Sequence, residues 1–227
     1  MRSDRIICLA NSYKHDHRCV AGISLDTKKW VRLIGKQVPG CLTRKEASYR
    51  DGKEVALLDV FEAELDKECG SNCHPEDVYI TGKSWRFVRS YDEISDSQLL
   101  AACIDDEPVV LVGYSDRIEI CRFEAKPARC SLGLNIPGDL FWWIREEKGK
   151  RKNRALFRLG RIGRIRYDLP VTDPATLNML NLLPAGLYPD GLICGNKPTR
   201  TLITVSLSEP FEGYHYKLVA GVIHLPV

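Results

Sequence analysis

No stretch of the 227-residue sequence approaches the roughly 20 consecutive apolar residues that a membrane-spanning helix requires. The apolar runs are short and β-like, so no membrane association is expected. Met1-Arg-Ser-Asp-Arg5 leads into a brief apolar run, Ile6 to Ala10, too little for a secretory signal, and a cytoplasmic protein is expected. Catalytic signatures are missing as well. There is no phosphate-binding glycine-rich loop, no nucleophile-elbow serine and no His-Glu-x-x-His. The 30 acidic residues form no recognisable acid–base pair. Glu62, Glu64 and Asp66 share one face of a strand candidate, as a magnesium-dependent nuclease would need, but alternating strands produce such solvated rows more often than metal sites. A non-catalytic protein without a cofactor is expected, with a nuclease-type enzyme of unrecognised geometry as an alternative. Internal repeats are also lacking: Val20-Ala-Gly22 recurs as Val219-Ala-Gly221, which is too short to argue duplication.

Positive charge is in excess over negative in one place. Residues 145–166 hold ten Lys or Arg against Glu146 and Glu147, or +8, while the whole chain is only +3, so the remainder is about −5. Phe141-Trp142-Trp143 precedes this segment, and Phe157 lies within it. Basic charge interleaved with flat rings suits a polyanion that also presents π-faces, meaning RNA, single-stranded DNA or a nucleotide. A hairpin tip charged for solubility gives the same pattern. Lys150, Arg151, Lys152, Arg154, Arg158 and Arg161 are the candidate phosphate ligands. Arg151, Lys152 and Arg154 lie around the turn formers Gly149 and Asn153, so they are expected to face solvent and to be dispensable to the core. Trp142 and Trp143 point to opposite faces of a regular strand, so one of them is expected outside the core as a stacking platform.

Nine cysteines, an odd number, do not make a disulfide framework here. Most sit in apolar strands such as Ile6-Ile7-Cys8-Leu9, where a free thiol packs as a small hydrophobe. Structural zinc wants four ligands, usually in two close pairs. The trio His15, His17 and Cys19 and the loop group Cys69, Cys73 and His74 are weak candidates, and no metal is expected.

An apolar content of 44% permits a packed core. Cys19 to Leu25 alternates, Asp26 to Lys29 turns, and Trp30 to Ile34 returns: a β-hairpin. Val55–Leu65, Val78–Ile80, Trp85–Val88, Val109–Gly113 and Arg117–Phe123 also read as strands. A helix follows Ser95 or Asp96 as cap, with Leu99, Leu100, Cys103 and Ile104 at helical spacing. Asp173-Pro174 opens a second, short helix, and the Pro- and Gly-rich stretch from Leu183 to Thr199 reads as loop. The fold class is mainly β, or β-rich α+β. The pattern pauses at Lys126-Pro127, dividing the chain into an N-terminal domain, 1–126, and a C-terminal domain, 127–227, that carries the basic hairpin 145–166.

Asn11-Ser-Tyr-Lys-His-Asp-His-Arg18 packs an amide, a hydroxyl, imidazoles, Lys and Arg into eight residues after a buried strand. As a loop at a barrel mouth, Asn11, Ser12, Lys14, His15 and Arg18 could form a pocket for a phosphate or base edge; a polar hairpin connection is the plainer alternative. The string Cys8-Leu-Ala-Asn-Ser-Tyr-Lys14, with Arg18-Cys-Val-Ala-Gly22 and Trp30-Val-Arg32, resembles the opening of a bacterial family described as the dual OB-containing domain. Phe157-Arg-Leu159 through Val171-Thr-Asp-Pro174, and Ser206-Leu-Ser-Glu-Pro-Phe211 with Tyr216-Lys-Leu-Val-Ala-Gly-Val222, resemble its middle and end. The resemblance implies two small OB-like barrels with about one short helix each, nucleic-acid or nucleotide binding, and a prokaryotic defence or conflict setting that could supply protein partners. It supplies no catalytic residues. The alternative within that setting is a protein-interaction adaptor using the basic arm on an acidic partner.

Overall fold

A computed structural model describes the chain except for residues 15, 39, 106, 108, 126–129, 160–164, 196–198 and 227. The chain gathers into two compact units, Met1–Ile104 with Arg129–Ser131, and Asp105–Ala128 with Leu132–Val227. The boundary anticipated at Lys126-Pro127 lies outside the described residues.

The first unit is built from β1 (Arg2–Lys14), β2 (His17–Ser24), β3 (Trp30–Ile34), β4 (Asp59–Glu68), β5 (Asp77–Ile80) and β6 (Arg86–Ser90), followed by α1 (Glu93–Cys103). β1 and β2 make a long antiparallel hairpin, and β2 pairs with β3. β3 then runs parallel to β5, β5 pairs with β4, and β4 returns to β1. The circuit β1-β2-β3-β5-β4-β1 therefore closes a five-stranded barrel, and β6 pairs along β4. At the register shift between Cys8 and Ala10, a Cβ on Gly22 would sit 1.9 Å from the Ile7 carbonyl oxygen, so only glycine fits there.

The barrel interior holds Ile6, Val20, Leu33, Phe61, Leu65 and Trp85, with Phe61 and Trp85 stacked at 4.8 Å. Each such side chain contributes roughly 1.5–3 kcal/mol by leaving water. Arg32 and Asp77 face each other across the parallel pair and form a two-pronged ion pair at 2.6 and 2.8 Å, which satisfies two buried charges in one step. α1 starts one turn earlier than expected, because Asp92 is the cap and accepts the Ser95 amide at 3.1 Å. Asp96, a candidate cap, is instead buried against the Arg89 guanidinium.

The second unit contains β7 (Arg117–Glu119), α2 (Ile120–Ala125), β8 (Leu132–Asn135), β9 (Pro137–Glu147), β10 (Lys150–Leu159), β11 (Arg166–Pro170), α3 (Pro174–Leu180), β12 (Gly186–Pro189), α4 (Asp190–Ile193), β13 (Thr199–Leu207) and β14 (Tyr214–Pro226). β8 and β9 are separated only by Ile136 and act as one bent strand. β9 pairs with β10 and β10 with β11; Val171 just beyond β11 bridges in parallel to Val219 of β14; β14 pairs with β13, and β13 with β8. This repeats the circuit of the first unit, with α3 between the third and fourth strands of the circuit. Five strands in this order, with the third parallel to the fifth, define an OB barrel.

Asp173 caps α3 through the Ala175 amide, as the Asp-Pro signature requires. Val109–Gly113 does not form the expected strand: Leu111 and Gly113 take φ values of +51° and +88°, a conformation that cannot continue a pleat. The stretch read as loop after Leu183 contains β12 and α4. Among the described residues, no helix is long and apolar enough to cross a membrane.

Candidate nucleic-acid interface

The basic segment is a β-ribbon. Lys148 and Gly149, at φ +51° and +72°, form the two-residue turn between β9 and β10 whose twist matches the flanking strands. Strand alternation then sorts the side chains. Leu140, Trp142 and Ile144 on β9, Ala155 and Phe157 on β10, and Tyr167 and Leu169 on β11 fill the core. Phe141, Trp143 and Arg145 point the other way, as do Lys152, Arg154 and Arg158 on β10 and Arg166 and Asp168 on β11.

Of the adjacent tryptophans, Trp142 is fully buried and donates its indole N–H to Asp190 at 3.0 Å. It cannot meet a base. Trp143 lies half-buried on the outer face, with the Arg145 guanidinium 3.9 Å from its ring centroid and Arg154 directly across on β10. Asp190 also accepts from His224 and Thr201. Burial alone would raise its carboxyl, yet these hydrogen bonds hold it below the usual value. The cluster fixes Trp142 and, through strand geometry, the outward aim of its neighbour.

The cations differ in their engagements, contrary to the expectation of uniformly solvent-facing charge. Arg151 donates to the carbonyl oxygens of Leu180, at 2.8 Å, and Leu183, closing the C-terminal end of α3. Arg154, with 18% of its side chain exposed, is paired with the Asp168 carboxylate. Both therefore belong partly to the fold. Lys152 pairs with Glu147 at 2.5 Å and holds that carboxyl below its usual value. Lys150, Arg158 and Arg166 are exposed and have no partner among the described residues. Arg158 and Arg166 stand directly opposite each other across β10 and β11. Arg161 lies outside the described residues.

Phe141, Arg145 and Arg166 lie in the aromatic and basic stretch noted in the sequence but were not among its candidate ligand residues. Their signal was available: once Trp143 is taken as outward, period-two alternation places Phe141 and Arg145 beside it, and the register carries the face to Arg166.

The segment from Asn11 to Arg18 is not a loop. β1 runs on to Lys14 and β2 begins at His17, so most of these residues belong to a paired hairpin. Asn11 is buried and donates to the Val55 carbonyl at 2.7 Å; Ser12 is also buried. Arg18 is 3% exposed, pairs with Glu54 at 2.6 Å and packs 4.1 Å over the Tyr13 ring. Lys14 is half-buried, and His15 lies outside the described residues. Asn11 and Arg18 are thus engaged in holding the first barrel.

His74 is buried with its Nδ1 2.7 Å from the Ser131 hydroxyl, and burial pushes the Cys69 thiol up. Among the described residues, no three His, Cys, Asp or Glu side chains converge as metal ligands would. The carboxylate row on β4 is met by cations instead: Glu62 by Arg86, Glu64 by Lys83 and Asp66 by Lys36.

Two barrels of one strand order, one presenting an outer sheet of cations and rings, define a dual-barrel protein of the OB class. The chain belongs to the dual OB-containing domain family, whose model matches residues 4–222. No curated protein matches it. Among solved structures, a replication protein A heterotrimer solved bound to ssDNA is similar at 11% identity and a TM-score of 0.34, covering 99% of this chain. This chain spans about half of that one, 49%. The tetrameric p202 HIN2 is similar at 9% identity and a TM-score of 0.31, covering 99% of this chain and 92% of that one.

Proposed function

We propose that the chain is a non-catalytic binder of single-stranded nucleic acid, RNA or DNA, and that the ligand lies on the outer face of β9, β10 and β11. The carrying observation is the combination on that face of exposed Lys150, Arg158 and Arg166, without partners among the described residues, with the outward ring of Trp143. Cations spaced along a strand suit successive phosphates, and a ring held flat by a guanidinium offers a stacking platform for any base. The turn between the first two strands and the face of strands two and three are where OB barrels meet oligonucleotides. Arg145, Lys152 and Arg154 share the carboxylates of Glu147 and Asp168, which leaves one net positive charge among these five groups. The hairpin residues Asn11, Ser12 and Arg18 are buried in the first barrel and take no part in this reading. A prokaryotic defence or conflict setting is part of the proposal, on the family resemblance alone.

Fluorescence anisotropy with labelled single-stranded RNA and DNA, and with free ATP as competitor, tests it. Saturable binding of a single strand at about 50 mM salt, weakening steeply as salt rises, is expected. If no oligonucleotide or nucleotide binds under those conditions, the basic face serves an acidic protein partner and the proposal fails.

A further inference from the structure

The other sheet of the second unit carries a second solvent-facing cluster of different chemistry. β7 pairs with the start of β14 at Arg117↔Tyr216, Ile118↔His215 and Glu119↔Tyr214. Ile118, His215 and Lys217 are buried, so alternation turns Arg117, Glu119, Tyr214 and Tyr216 outward. Phe211 bridges to Tyr214 and is 62% exposed. The Tyr216 ring lies 6.4 Å from Phe211 and 6.3 Å from Tyr214, tilted by 52° and 58°. Glu212 and Gly213, at φ +49° and +84°, make the turn that lifts Glu212 into solvent.

We propose that this face docks a proline-rich peptide segment of a partner protein that also carries Arg or Lys. Tilted neighbouring rings leave ridges and slots instead of one flat platform, and a polyproline II strand packs its rings into such slots with little ordering entropy to lose. The charge argues in the same direction. Glu119 and Glu212 border the rings and repel phosphate. Arg117, on the same face, is already stacked 4.5 Å over Tyr214. A basic residue in the peptide gains two carboxylates, whereas a nucleic-acid backbone meets them as like charge.

The test uses the full chain and a fluorescein-labelled dodecapeptide rich in proline with two arginines, read by anisotropy, beside a labelled single-stranded oligonucleotide. Saturable peptide binding is expected, weakened about tenfold by Phe211→Ala or Tyr216→Ala and several-fold by Glu212→Lys, with oligonucleotide affinity unchanged. Phe211 and Glu212 are exposed, so their variants fold even if Tyr216→Ala does not. The proposal is overturned if the peptide fails to bind the folded wild type at about 1 mM, or if Phe211→Ala leaves peptide affinity intact. It is also overturned if that variant weakens the oligonucleotide instead, which would make the face a second stacking surface for bases.

Discussion

Arg158→Glu separates the binding role of the basic face from its structural role. Arg158 and Arg166 are directly opposed across β10 and β11, both exposed, and like charges in that position destabilise a sheet. The substitution turns a repulsive pair into an attractive one worth about 0.2–1 kcal/mol. The melting temperature should therefore hold or rise by up to a few degrees, roughly. The same change removes one phosphate contact. If Lys150, Arg158 and Arg166 each neutralise a phosphate, the log–log salt slope on a single strand is about −2 for the wild type and about −1.4 for the variant. A fourfold rise in salt should then weaken the wild type roughly 20-fold and the variant only roughly 7-fold. Anisotropy at several salt concentrations, with thermal melts on the same samples, reads both effects. An unchanged slope would show that Arg158 touches no phosphate. A variant that neither binds nor melts cooperatively would show that the residue belongs to the fold, and the reasoning would be refuted.

The other consequences divide along the same line between fold and face. Trp143→Ala should leave the melt nearly unchanged and weaken oligonucleotide binding by about 1–3 kcal/mol, whereas Trp142→Ala should cost roughly 3–5 kcal/mol of stability in denaturant melts. Arg151→Ala should lower stability by about 1 kcal/mol, because the carbonyls of Leu180 and Leu183 lose a charged donor; an unchanged denaturation midpoint would show that this contact contributes nothing. Burial pushes Lys217 down to about 8 from 10.5. The unfolded chain thus holds the extra proton between those values, and stability should rise with pH across that window by up to about 3 kcal/mol relative to Lys217→Met, and be flat below it.

What the sequence made legible was local. The β2–β3 hairpin was readable because its apolar residues alternate around a four-residue turn, and α3 because Asp173-Pro174 carries both its cap and its first-turn constraint. The family was readable from short strings at both ends and in the middle. Barrel closure was not, since β1 meets β4 at pairs such as Arg2↔Leu65, and nothing in either segment alone names the other. Val109–Gly113 misled because apolar composition says nothing of the left-handed φ at Leu111. Of the second cluster, Phe211, Tyr214 and Tyr216 lie close together in the sequence, but Arg117 and Glu119 reach them only through the pairing of β7 with β14.

The same locality explains why a count of charges overstated the basic face. The +8 of residues 145–166 is a property of the chain, but what a ligand meets is the charge left after the fold has used its share. Asp168 takes Arg154, Glu147 takes Lys152, and the end of α3 takes the donors of Arg151. In the first barrel this use goes further: Arg18 and Arg32 are buried in ion pairs, and Glu62, Glu64 and Asp66 each hold a cation. On the second barrel, Arg158 and Arg166 stand exposed and opposed, with no partner among the described residues, on a sheet that also presents Trp143. Their opposition lowers stability in isolation, and a polyanion laid across them removes that cost as it binds. The energetic reason to seek the ligand on the second barrel is this unmet repulsion, more than the number of lysines and arginines in the segment.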